Sequence, residues 1–141
     1  MTNYLWASAH QPTEEQIHDL ESKGRVTMLK EENAELYNKL CNISLDTNLR
    51  VLANELLEYC INTGINILVQ PAGSPKFHFV LGKTIGTDKG IEYGSEQSAY
   101  CQRCPDYPDI IFAYSKRVSE DIPQADGSMK KVVVFKHEGW V

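Results

Sequence analysis

Three features of the sequence predict an α/β domain with a Rossmann-like, mostly parallel sheet and a C-terminal β-hairpin. Strand-like and helix-like segments alternate along the chain, the pattern of a sheet built from crossover units. The run Ile65-Asn66-Ile67-Leu68-Val69 is short and almost wholly apolar, as a parallel strand covered on both faces must be. Asp126-Gly127 stands between two stretches of strand character, the signal of a hairpin turn. With 141 residues, 42 % of them hydrophobic and 9 % aromatic, the chain has the size and composition of one domain able to bury a core. Residues 1–141 are therefore expected to form a single Rossmann-like domain.

The elements follow in order. Tyr4-Leu5-Trp6-Ala7 reads as a first strand, and Thr13 followed by Gln16 is a capping box that opens a helix from about Glu14 to Ser22. Gly24 ends that helix, and Arg25 to Leu29 reads as a second strand. Glu31 to Leu40 is polar and helix-forming, with Leu36 and Leu40 on one face. Leu49, Leu52, Leu56, Leu57 and Cys60 recur at helical spacing, which predicts an amphipathic helix with Gly64 at its C-cap. Ile65 to Val69 is then the central strand, Gln70 to Pro75 a turn, and Lys76 to Gly82 a further helix with Pro75 in its first turn. Residues 83–108, with glycines at 86, 90 and 94 and little periodicity, read as a long excursion or a small hairpin. Asp109 to Tyr114 resumes as an apolar strand, and Ser115 to Ile122 pairs with Met129 to Lys136 across Asp126-Gly127.

Composition narrows the function. The net charge of −5 argues against a coat for long DNA or RNA, which would depend on counterion release at many phosphates. The charge is uneven, however: residues 1–115 carry 9 basic and 15 acidic side chains, and residues 116–141 carry 5 basic and 4 acidic. A compact anion can still be met locally. No apolar run approaches the length of a membrane span, and Met1 to Trp6 lacks the basic and apolar regions of a secretion signal, so a cytoplasmic location without membrane contact is expected. Four cysteines, two of them in expected helices, do not form a disulfide framework.

Ligands of open α/β sheets bind beyond the carboxyl ends of the strands. After the first strand come Ser8 and His10; after the central strand, Gln70, Gly73, Ser74 and Lys76; after the Tyr114 strand, Ser115, Lys116 and Arg117. The Gln70–Lys76 turn offers backbone N–H groups and a helix N-terminus to a phosphate, or merely reverses the chain. His10 suits proton transfer near neutral pH, and Arg117 suits bidentate phosphate binding, although each also reads as a solvated surface residue. Lys136-His137 is a cationic pair that reads equally as an edge-strand guard against aggregation. Cys101-Gln102-Arg103-Cys104 has metal-ligand spacing but no second pair; two reduced cysteines are the simpler reading, and a zinc site would need His78 or a second subunit. No nucleophile elbow, Walker A motif or dinucleotide fingerprint occurs, and no metal or cofactor is expected.

The ends of the chain carry a resemblance. Ala9-His10-Gln11-Pro12-Thr13-Glu14-Glu15-Gln16 is similar to the S-H-x-L-T-x-x-Q opening of small type III CRISPR-associated accessory proteins regarded as ring nucleases or candidates for that role. Tyr114-Ser115-Lys116-Arg117, with Asp126-Gly127-Ser128-Met129-Lys130-Lys131-Val132-Val133-Val134-Phe135-Lys136-His137, resembles the close of one such family, and Ile67-Leu68-Val69-Gln70 its V-L-V-Q-G-D strand and turn. The chain departs from that pattern at Pro71-Ala72, where the family has Gly-Asp, at Ala9, where it has Ser, and over residues 83–108, which against the family look like an insertion. The resemblance implies a Rossmann-like homodimer that binds cyclic oligoadenylate and opens it without metal, ending an antiviral signal. Carried onto this chain, it makes His10, Gln70 and Lys116 candidate catalytic residues, with Ser8, Gly73, Ser74, Lys76, Ser115, Arg117, Lys136 and His137 around the ligand. A sponge that holds the cyclic nucleotide uncleaved, in a host or a phage, is the alternative. A zinc-supported interaction module built on Cys101 and Cys104 is a third.

Overall fold

Thr2–Trp6 (β1) occupies an inner position of a four-stranded parallel sheet in the computed structural model, which describes residues 1–87 and 106–141. Gly24–Met28 (β2) pairs on one side of it and Ile67–Val69 (β3) on the other; Asp109–Ile111 (β4) lies outside β3, so the order is β2-β1-β3-β4. The mostly parallel α/β architecture expected from the alternation of elements is the observed one.

Local signals account for most boundaries. Thr13 accepts from the Gln16 amide while the Gln16 side chain accepts from Thr13 N–H, and the helix Glu14–Glu21 (α1) starts there. The helix expected over residues 31–40 is two helices, Leu29–Glu32 (α2) and Ala34–Cys41 (α3). Asn33 separates them: it leaves helical geometry and its side chain accepts from Leu36 N, the capping role for which Asn competes with helix continuation. Leu49–Thr63 (α4) ends at Gly64 in the left-handed region, φ +71°. β3 is shorter than the apolar run because the Ile65 amide is drawn back to the Cys60 carbonyl to close α4.

Pro75–Thr87 (α5) extends beyond the helix expected to Gly82, so residues 83–87 of the expected insertion are helical. The remainder of that segment, Cys101 and Cys104 with it, falls mostly outside the described residues. The expected strand over 109–114 breaks at Phe112, whose N–H and C=O exchange bonds with Val141. Ala113–Pro123 (β5) then pairs with Met129–Trp140 (β6) as an antiparallel arm around Asp126-Gly127.

Strand alternation sends side chains to two faces. Leu5 and Leu68 point to α3, α4 and α5, where Leu36, Leu56, Phe77 and Leu81 complete the main core. Tyr4, Trp6 and Val69 point the other way, to Leu20 of α1, and Trp140 packs against them. Each such fully buried side chain contributes roughly 1.5–3 kcal/mol from apolar burial.

Candidate functional site

β1 leads through α1 to β2 on one side, whereas β3 lies on the other, so the chain reverses its winding direction between β1 and β3. A doubly wound sheet opens a crevice at such a point, beyond the strands' carboxyl ends. The loops that flank it here are Ala7–Pro12 and Gln70–Ser74. They are joined: Ala7 N–H donates to the Val69 carbonyl and Ala72 N–H to the Ala7 carbonyl, at 3.2 and 2.8 Å.

In the first loop, Ser8 is buried and its Oγ accepts from His10 N–H at 3.2 Å. Trp6 Nε1 donates to the His10 carbonyl at 2.8 Å, which fixes the loop backbone and leaves the imidazole exposed at the rim. In the second loop, Gln70 adopts φ +44°, a left-handed conformation that costs a non-glycine residue on the order of 1 kcal/mol or more. Two bonds hold it there. Its N–H donates to the Ile111 carbonyl and its Oε1 accepts from Ala113 N–H, both at 2.9 Å. Gln70 thereby sets where the parallel sheet ends and the arm begins, and its amide oxygen is committed to that task. Gly73 has φ +127°, and an added Cβ would lie 2.7 Å from the Phe77 ring, so only glycine fits. Ser74 Oγ accepts from Phe77 N–H and caps α5, so the helix N-terminus follows directly from this loop. Lys76 is exposed, with its ammonium 5.6 Å from the Phe79 ring centre.

The arm residues are distributed differently. Ser115 and Arg117 share one face of the ribbon, and Arg117 lies over Phe135 at 5.6 Å. Lys116 and Lys136 oppose each other on the other face, and Lys136 Nζ reaches Glu120 at 2.8 Å, which raises its pKa above the ordinary lysine value. His137 is no exposed edge cation. Its side chain is 8 % accessible and its Nε2 lies 3.1 Å from Asp19 Oδ2 on α1, while Trp140 Nε1 donates to the same oxygen at 3.0 Å. The register shift beside Tyr114 and Ser115 makes this possible: two residues an odd number apart on a regular strand face opposite ways, and the bulge brings both rings to Asp19. The hydrogen bond from His137, then Lys23 and Trp140, hold the Asp19 carboxyl below its usual pKa.

Asp19, Trp140 and His78 were not singled out by sequence, apart from His78 as a possible partner for Cys101. His78 Nε2 lies 2.7 Å from the Pro71 carbonyl and its ring meets Phe112 edge-on, so it braces the second loop against the start of the arm. Among the described residues no group of three metal-ligating side chains occurs, and no helix is long and apolar enough to cross a membrane.

Among the described residues, two of the hollows lie at the opposite end of the sheet. One, of about 220 Å³, is lined by Asn3, Arg25, Glu32 and Tyr59; the other, of about 540 Å³, by Cys60, Asn66, Asp106 and Asp109. Both sit toward the amino ends of the strands, and their carboxylates oppose a phosphate ligand. The two loops at the carboxyl end of the sheet carry no acidic side chain.

The fold is a doubly wound α/β domain that brings the His10 loop and the Gln70–Ser74 loop together at the carboxyl edge of its parallel sheet. Residues 2–141 match the family described as uncharacterized protein MJ1673, and the chain belongs to that family. No curated protein and no solved structure was found to be similar to it.

Proposed function

We propose that the chain binds a cyclic oligoadenylate at the crevice between β1 and β3 and opens the ring. The observation that carries this reading is the junction of the His10 loop with the Gln70–Ser74 loop at the switch in winding, which puts an exposed imidazole and a helix N-terminus on adjoining loops at one edge of the sheet. The resemblance at the two ends of the chain supplies the ligand class. In the reaction a ribose 2′-hydroxyl attacks the adjacent phosphorus, the bond from phosphorus to the 5′-oxygen breaks, and the products are a 2′,3′-cyclic phosphate and a 5′-hydroxyl. His10 moves the proton, the α5 N-terminus and Lys76 bind phosphate, and Lys116 and Arg117 lie along the arm that leaves the same edge. A homodimer would match a two-fold ligand to a two-fold pocket.

The sponge is the second reading, and a specific observation favours it. Gln70 Oε1, Ser74 Oγ and His137 Nε2 are each engaged in bonds that build the fold, which leaves His10 and Lys116 as the candidate catalytic side chains without such a commitment among the described residues. Incubation with cyclic tri-, tetra- and hexa-adenylate in EDTA, followed by chromatography, separates the readings. Linear products ending in 2′,3′-cyclic phosphate support the nuclease, and tight binding of intact rings supports the sponge. Neither binding nor cleavage refutes both.

A further inference from the structure

The β5–β6 arm has eleven and twelve residues in its strands, so it projects roughly 38 Å from its root. Its alternating side chains make two unlike faces. On one, Lys136 spans Val118 and Val134 to reach Glu120, and that ion pair shields the valines, which are half-buried. The other face includes His137, which at the root is packed on α1. Beyond the body this second face continues as Phe135, Val133 and Met129, exposed by 68, 49 and 60 %. A surface buried against α1 at one end is thus left bare at the other, on a two-stranded ribbon, which is marginal without a covering layer.

We infer that this face is the contact through which two copies of the chain associate, arm on arm and antiparallel. The arrangement of charge selects a second copy as the occupant. Arg117 and Asp121 sit on this face at equal distances on either side of Ser119, and Phe135 and Lys131 likewise on either side of Val133. A two-fold axis through Ser119 and Val133 therefore sets Arg117 against the partner's Asp121 and Phe135 against the partner's Lys131, twice each. Among the described residues Arg117, Asp121 and Lys131 form no ion pair within their own chain. The same overlap carries the Lys130-Lys131 tip toward the partner's α1, whose first turn is acidic at Glu14 and Glu15. The two parts also differ in net charge: the arm, residues 113–141, has five basic and four acidic side chains, and the rest of the chain has nine and fifteen. The bare stretches that face each other, Arg117 to Asp121 and Lys131 to Phe135, span about 17 by 10 Å and supply roughly a fifth of the ~800 Å² that a partner contributes to a standard interface, and the tip against α1 supplies further area.

The inference stands on the arm alone and needs no nucleotide. Sedimentation of the full-length protein without nucleotide tests it. Wild type should run at twice 16.0 kDa, Phe135→Glu at 16.0 kDa, and Arg117→Asp and Asp121→Arg should each shift the dimer toward monomer, while the double exchange restores it. The rescue distinguishes a lost contact from a lost fold. A monomeric wild type, a dimeric Phe135→Glu, or a double exchange no more dimeric than its single parents would overturn the inference. A dimer that ignores cyclic oligoadenylate would refute the proposed function and leave the arm contact intact.

Discussion

At the scale of single residues, the most connected polar group described is Asp19, whose carboxylate takes bonds from His137, Trp140 and Lys23. Its pKa is lowered in the folded state, so the stability it contributes is present above the ordinary carboxylate range, near pH 4, and is lost as pH falls through the folded value. Asp19→Asn should cost about 1–3 kcal/mol at neutral pH, and the gap to wild type should close on acidification. Urea titrations followed by tryptophan fluorescence check this directly, since the protein's two tryptophans, Trp6 and Trp140, meet edge to face where the arm is tied down. Cys60 gives a second prediction. Burial pushes its thiol up to about 12, so maleimide in neutral buffer should label exposed Cys41 and spare Cys60 until the protein unfolds, as peptide mass spectrometry would show. Equal labelling of both would mean that α4 opens readily.

At the scale of elements, glycines at two boundaries predict the same substitution to fail for different reasons. Gly64→Ala meets no neighbour but must hold φ +71°, a penalty of about 1 kcal/mol. Gly24→Ala has no such φ, yet its Cβ would sit 2.1 Å from the Thr2 carbonyl oxygen, so β1 and β2 must part there; about 1–3 kcal/mol is expected in thermal melts. The elements themselves were largely legible. Thr13 with Gln16, the leucine spacing of α4 and the Asp126-Gly127 turn each carry a local physical signal, and each produced the element it signals. Asn33 was misread because a polar helix tolerates Asn in the pattern, and its capping bond is visible only in coordinates. His137 was misread for a deeper reason. Its exposure depends on a bulge and on a carboxylate 118 residues away, and neither has a local trace in the sequence. The crevice was half legible: parallel topology places the His10 and Gln70 loops at one end of the sheet, but nothing in the composition shows that Gln70 and Ser74 spend their oxygens on the fold.

At the scale of the whole molecule, the proposed anion site on an acidic body predicts a response to salt. If cyclic oligoadenylate binds at the crevice, its affinity should fall as salt rises, and Lys76→Ala should weaken it further in isothermal titrations; binding indifferent to both would place the ligand elsewhere. The tie between Asp19 and Trp140 also bears on the order in which the chain assembles. The arm's own strands join across a five-residue turn and can zip in microseconds, whereas Asp19 and Trp140 are 121 residues apart. Closing that long loop from an unfolded chain costs on the order of 3 kcal/mol more entropy than closing the turn. The cost drops only once β3 and β4 have paired and brought Phe112 to the sheet edge. Body and arm are thus expected to form as separate cooperative units, with the tie made last and broken first. In hydrogen exchange, Trp140 and Val141 should exchange ahead of the central strands, in openings that leave the parallel sheet closed.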